Sequence, residues 1–167
     1  MKDKSYWIEQ LGLIPHPEGG YYREVYRSEA VINSHALPFK ADSDRNYMTS
    51  IYFLLDEDNY SAFHRIKSDE MWYYHAGDTL VVHSISELGD YQRRLLGSNL
   101  AANEQLSFVV EAGDWFASEV ENKTGFVLVS CAVSPGFDFN DFELADKDLL
   151  SEFPQHQALI KRLLVKN

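Results

Sequence analysis

The stretch FHRIKSDEMWYYHAGD, residues 63–78, decides how the chain folds. It reads as two strands joined by a polar turn around Lys67 to Asp69, which sets His64 near Glu70. Side chains alternate with a period of two along a strand, so Glu70, Trp72 and Tyr74 share one face. A carboxylate, an indole and a phenol together fit the lined interior of a barrel better than a dry core. Gly77-Asp78 then predicts a two-residue hairpin turn with glycine first. That register pairs Ala76 with Thr79 and Trp72 with His83, and brings His83 onto the Glu70 face. A three-residue turn would send His83 to the other face, so both registers stay open.

Outward from this stretch the same rhythm continues. Strand-like runs recur from Tyr47 to Ser134: YMTSIYFLL, YSAFHRI, EMWYYHA, TLVVHSI, YQRRLLG, LSFVV, WFASEV and FVLVSCAVS. Turn residues such as Asp-Glu-Asp-Asn and Asn-Lys-Thr-Gly separate them, which predicts an all-β antiparallel sandwich or barrel. Before it, residues 3–12 have the spacing of a short amphipathic helix with Trp7, Ile8 and Leu11 on one side. Pro15, Pro17, Gly19 and Gly20 force a turn, and Tyr21 to Arg27 can run extended. Residues 31–46 are polar and read as a long loop. After Pro135-Gly136 two helical segments follow, 146–152 and 155–165, the second opened by Pro154. No repeat or linker divides the chain, so one domain over residues 1–167 is expected.

Composition narrows the function. The chain has 15 Lys+Arg against 26 Asp+Glu, a formal charge of −11, and no basic run, which argues against nucleic acid. Its apolar runs are about five residues long, far short of the ~20 that span a bilayer. The N-terminal MKDKSYWIEQ carries no apolar leader, and the single Cys131 cannot form an internal disulfide, so a cytoplasmic location is expected. Aromatic residues make up 14% of the chain, a load that suits both pleated strands and a lined pocket. His16, His35, His75 and His156 read as structural or solvated. Arg23 and Glu24 beside Gly19-Gly20 form a second, weaker candidate, because a glycine turn lets backbone approach a ligand.

The 63–78 stretch resembles the first motif of the cupin superfamily, Gly-x5-His-x-His-x3–4-Glu-x6-Gly, with His64, Glu70 and Gly77 in the histidine, glutamate and closing glycine positions. EAGDWF (111–116) resembles the second motif. HPEGGYYRE (16–24), SIYFLL (50–55) and SPGFDFNDFELAD (134–146) extend the resemblance to an RmlC-like cupin family with no firmly assigned reaction. It implies a double-stranded β-helix, or jelly-roll, barrel of two antiparallel sheets, with a short N-terminal helix, two C-terminal helices and the site inside. A homodimer is the usual assembly. Ile66 stands where a metal-binding cupin has its second histidine, and Phe116 where it has the histidine of the second motif. With two of four ligands lacking donor atoms, no metal or other cofactor is expected unless His83 supplies a third ligand.

By similarity to the metal-free sugar-nucleotide epimerases of the RmlC-like group, His64 is then the expected base, Glu70 its partner and Tyr74 the proton donor. Trp72, His83, Arg23, Tyr52 and Phe116 are expected to line a small carbohydrate-like carbonyl ligand. Arg23, Arg65 and Arg45 are the cations at hand for a phosphate. A non-catalytic ligand-binding cupin and a metal-dependent cupin with a reduced ligand set remain the alternatives.

Overall fold

Alternating apolar residues on neighbouring strands build two sheets that share one core. The computed structural model describes residues 2–165. Helix α1 (Lys4–Leu11) is followed by β1 (Ile14–Pro15), β2 (Tyr21–Arg27), β3 (Val31–Ile32), β4 (Arg45–Asn46) and β5 (Thr49–Asp56). Next come β6 (Tyr60–Ile66), β7 (Asp69–Gly77), β8 (Leu80–Ile85) and β9 (Tyr91–Leu96). The chain continues through β10 (Ser107–Val110), β11 (Trp115–Val120), β12 (Phe126–Ser134) and β13 (Phe142–Leu144) to α2 (Leu149–Glu152) and α3 (Gln157–Arg162).

One sheet has the strand order β1-β2-β5-β12-β7-β10 and the facing sheet β13-β6-β11-β8-β9, a jelly-roll barrel. Between the sheets lies the main core, with Phe53, Leu55, Trp72, Leu80, Val82, Phe116 and Val129 among its buried side chains. Each sheet also has a covered outer face, and period-two alternation assigns residues to it. Leu54 and Leu128 meet Trp7, Ile8 and Leu11 of α1, which Asp3 caps at one end and the left-handed Gly12 at the other. Phe63, Ile85, Trp115 and Ala117 meet Leu149, Phe153, Ile160 and Leu163 of the C-terminal segment. Among the described residues no helix is long and apolar enough to cross a membrane.

Four local expectations change. The polar turn at 67–69 does not close a hairpin: β6 lies in one sheet and β7 in the other. Gly77-Asp78 is likewise a crossing, because β7 pairs with β12 and β10 while β8 pairs with β11 and β9. A period-two pattern fixes which face a strand buries but not which strand lies beside it. The 31–46 loop holds a two-stranded ribbon, β3 with β4, anchored by buried Arg45 forking onto Asp141 at 2.6 and 2.9 Å. The C-terminal helices are shorter than 146–152 and 155–165, and a 3-10 turn at Pro154–His156 joins them.

Candidate functional site

The barrel encloses a cavity of about 380 Å³ whose walls include Tyr22, Phe53, Trp72, Phe137 and Phe142, and whose polar groups include His16, Glu18, His64, Glu70 and Cys131. Both sheets supply the chemistry. Glu70 and Trp72 point in from β7, Cys131 from β12, and His64 from β6 in the facing sheet. The crossing at 67–69 thus sets Glu70 and His64 on opposite walls, whereas a hairpin would have set them side by side.

Glu18 arrives differently. The turn at His16–Gly20 closes on itself, His16 N–H to Gly20 O at 3.0 Å and Gly19 N–H to His16 O at 3.0 Å. It then docks on β6, where Ala62 N–H donates to Glu18 O at 2.8 Å. Gly19 makes the docking possible: its φ is +114°, and a Cβ there would sit 2.0 Å from the Tyr60 carbonyl oxygen. Laid flat on the strand, the turn drops the Glu18 side chain into the barrel, where Ser61 Oγ donates to Oε1 at 2.8 Å.

His64 and Glu18 lie in close contact. The His64 Nδ1 faces Ala62 O at 2.8 Å, so Nδ1 carries hydrogen and donates to that carbonyl. Its Nε2 lies 3.1 Å from Glu18 Oε2. Burial pushes the Glu18 carboxyl above its ordinary range, opposed by His16 and by the Ser61 hydrogen bond. Burial also lowers His64, opposed by the Ala62 carbonyl and by Glu70. Both shifts favour the neutral forms of the two groups. His16 is neutral too: its Nδ1 accepts the Glu18 N–H at 3.2 Å, and burial lowers its pKa.

Glu70 completes the set. Burial raises its pKa from 4.5 to about 7; His64 opposes the rise, the nearby Glu18 adds to it, and the Cys131 thiol opposes it. That thiol is held in its neutral form by burial and by Glu70 itself. Among the described residues no N–H or O–H donates to Glu70. A carboxyl that titrates near neutral pH inside an aromatic cavity suits general acid–base work.

Of the residues the sequence nominated, the cavity gathers His64, Glu70 and Trp72, and Glu24 of the weaker candidate. Phe116 stands behind them, directly across from His64 in the ladder with ring centroids 4.0 Å apart. The others are elsewhere. Tyr74 packs at the edge of the core and donates its hydroxyl to Gly77 O at 2.6 Å, outside the cavity. His83 points to the outer face of its sheet, bonded to Glu119 at 3.2 Å and Tyr91 at 2.8 Å, because β8 is not the hairpin partner of β7. Tyr52 faces the α1 side with Leu54, and Arg23 donates to Leu11 O at 2.9 Å. Arg65 is paired with Glu143 at 2.7 Å and Arg45 with Asp141, so none of the three arginines reaches the cavity. Sequence reading missed Glu18, His16 and Cys131; a carboxylate beside two glycines in HPEGG was the available signal for the first.

A metal of the cupin type does not fit. Ile66 and Phe116 are 4% and 1% exposed, packed in the core with no donor atom. The His64 imidazole and Glu18 are the two nearest donors, with His64 Nε2 3.1 Å from Glu18 Oε2, and His83 lies on the wrong side of its sheet. Among the described residues no group of three or more His, Cys, Asp or Glu could hold a metal ion.

Comparison with curated proteins finds no match. Among solved structures, a hypothetical protein from Leishmania major is 38% identical over 99% of this chain and 100% of its own, with a TM-score of 0.90. A protein from Shewanella oneidensis is 43% identical over the whole of both chains, with a TM-score of 0.88. Oxalate decarboxylase from Bacillus subtilis is 18% identical over 92% of this chain and 37% of its own at a TM-score of 0.55, a likeness of fold alone. Residues 5–145 match the family described as Cupin superfamily (DUF985), and the chain belongs to that family.

Proposed function

We propose that the chain is a metal-independent isomerase or epimerase of a small carbonyl compound, with Glu70 and the His64–Glu18 pair as its acid–base groups. The observation that carries the reading is their placement: proton-holding groups enter one aromatic cavity from opposite walls. Moving a proton beside a carbonyl needs a base to take it and an acid to return or relay it. Glu70, half ionised at about pH 7, takes the carbon-bound proton as a carboxylate, and the Glu18 carboxyl, whose protonated form burial favours and which lines the same cavity beside His64, returns a proton. Trp72 and its aromatic neighbours give the substrate a flat apolar wall. At about 380 Å³ the cavity is at the small end of ligand pockets, suited to a metabolite and not to a nucleotide-linked sugar.

The test is hydrogen exchange in deuterium oxide, followed by proton NMR across a panel of small hydroxy and amino ketones. At least one compound is expected to exchange the hydrogen beside its carbonyl. Glu70→Gln is expected to slow that exchange by the ~10²–10⁴ that general acid–base catalysis supplies. His64→Asn is expected to slow it comparably, while ligand affinity changes far less. Compounds that bind but never exchange would make this a binding protein.

A further inference from the structure

The charged groups around the cavity are unequal in sign. Four carboxyls line it, Glu18, Glu24, Glu70 and Asp138, against one guanidinium, Arg27. That guanidinium is already spent: Arg27 donates to Glu24 at 3.0 and 2.7 Å, to Asn46 Oδ1 at 2.7 Å and to Phe137 O at 3.2 Å. Burial lowers the pKa of both lining histidines towards the neutral form, and His16 Nδ1 accepts a hydrogen bond. Even with Glu18 and Glu70 protonated, Glu24 and Asp138 outnumber Arg27, and Arg45, 4.0 Å from Asp138, is forked onto Asp141, so the cavity presents negative potential behind low-dielectric walls. An anionic ligand would find no unengaged cation among the lining residues. A positively charged one would find aromatic faces and a carboxyl, Glu70, that no N–H or O–H of the described residues occupies.

We propose that the cavity selects a small organic cation, a compound bearing a protonated or quaternary ammonium group, which Tyr22, Phe53, Trp72 and Phe142 surround and Glu70 neutralises. Aromatic faces attract ammonium groups through the ring quadrupole, most strongly where water is excluded. The inference rests on the reading of this cavity as the ligand site, and narrows the substrate class to amine-bearing carbonyl compounds. It also couples binding to a proton. Glu70 is faced by His64 from β6, Glu18 from the glycine turn and Cys131 from β12, with His16 behind Glu18. Burial disfavours the cationic form of both histidines, so the arriving charge is met by ionising Glu70.

Three probes of one shape decide it by calorimetry: choline, its neutral isostere 3,3-dimethylbutan-1-ol, and the anion 3,3-dimethylbutyrate. Choline is expected to bind at least about tenfold more tightly than the neutral alcohol, and the anion more weakly than either. Choline itself does not titrate, so its affinity is expected to rise about tenfold from pH 6 to pH 8 as Glu70 ionises, while the alcohol gains nothing. In Glu70→Gln the preference for choline and its pH dependence both vanish, with alcohol binding retained. Equal or tighter binding of the anion overturns the proposal, as does failure of all three to bind at millimolar concentration. Choline selectivity with no exchange of any carbonyl compound would remove the isomerase and leave the cation site standing.

Discussion

The molecule contains two histidine–glutamate pairs on opposite faces of the same sheet, and they have opposite fates. On the outer face Glu119 is met by His83 at 3.2 Å, Arg162 at 2.6 Å and Lys123. Burial pushes the Glu119 carboxyl up, but the hydrogen bonds from His83, Arg162 and Lys123 outweigh it and hold the group well below the usual carboxylate range. On the inner face Glu18 and Glu70 have no cation beside them, and burial wins. Residue type is the same in both places; what differs is the supply of positive charge. The outer pair is a clasp that ties the C-terminal segment to the barrel, and the inner groups are left able to move protons.

The contrast is broken most directly at Glu70. Its folded pKa is raised, so the native state holds a proton that the unfolded chain releases. Stability contributed in this way is present below the unfolded value and is lost as pH rises from 4.5 towards 7, by about 3 kcal/mol. Urea unfolding at pH 5 and pH 8 is expected to show Glu70→Gln gaining about that much on the wild type at the higher pH. A difference between the two proteins that does not change with pH would mean that Glu70 is not held protonated by burial.

Glu119 has the reverse sign. Its folded pKa is depressed, so its stabilisation is present above the unfolded carboxylate value and is lost only as pH falls through the acid range. Glu119→Gln at pH 7 leaves Arg162, Lys123 and His83 without their anion. Charged hydrogen bonds are worth about 1.5–3 kcal/mol, and Arg162 and Lys123 are half exposed, so a loss of about 2 kcal/mol is expected. Tyr60 Oη and Phe63 N–H, which bond the carbonyls of Leu164 and Leu163, lie beside this clasp. Amide exchange should therefore quicken first around Phe63 and the C-terminal segment. An unchanged exchange pattern there would show that apolar packing alone holds the segment.

How much of this was readable beforehand follows from the range of each interaction. The inward faces of single strands are local, and so Glu70 with Trp72, and His64 two residues from Ile66, could be placed inside the barrel from alternation. Strand neighbours are not local. The chain changes sheet at 67–69 and again at 77–78, and both points look like hairpin turns in sequence, which is why His83 was nominated for a site it does not reach, while Tyr74 shares the Glu70 strand but bonds Gly77 O farther along it. Glu18 depends on a still longer contact, the docking of a glycine turn against Tyr60 and Ala62 more than forty residues on. Sequence shows the two glycines but not the strand that needs them flat. The charge contrast between Glu18 and Glu119 is invisible until the partners are known, since Arg162 is 43 residues from Glu119.

The finest test asks whether the two faces act independently. Tyr91 bonds His83 Nδ1 at 2.8 Å with the rings stacked, and is itself half exposed. Tyr91→Phe removes that one hydrogen bond and keeps the ring, so the expected cost is about 0.5–1 kcal/mol by urea unfolding. If the sheet insulates its faces, the double variant Tyr91→Phe with Glu70→Gln should show stabilities that add to within ~0.5 kcal/mol at pH 8. Carbonyl-compound exchange and choline affinity should be untouched by the tyrosine change alone, because Glu18, His64 and Glu70 face the cavity and not the outer side of β8. A coupling larger than that margin, or a shift in the pH at which choline affinity rises, would mean that charge on the outer clasp is felt by Glu70 through the sheet. The inner groups would then owe part of their neutrality to the His83–Glu119 pair as well as to their own burial.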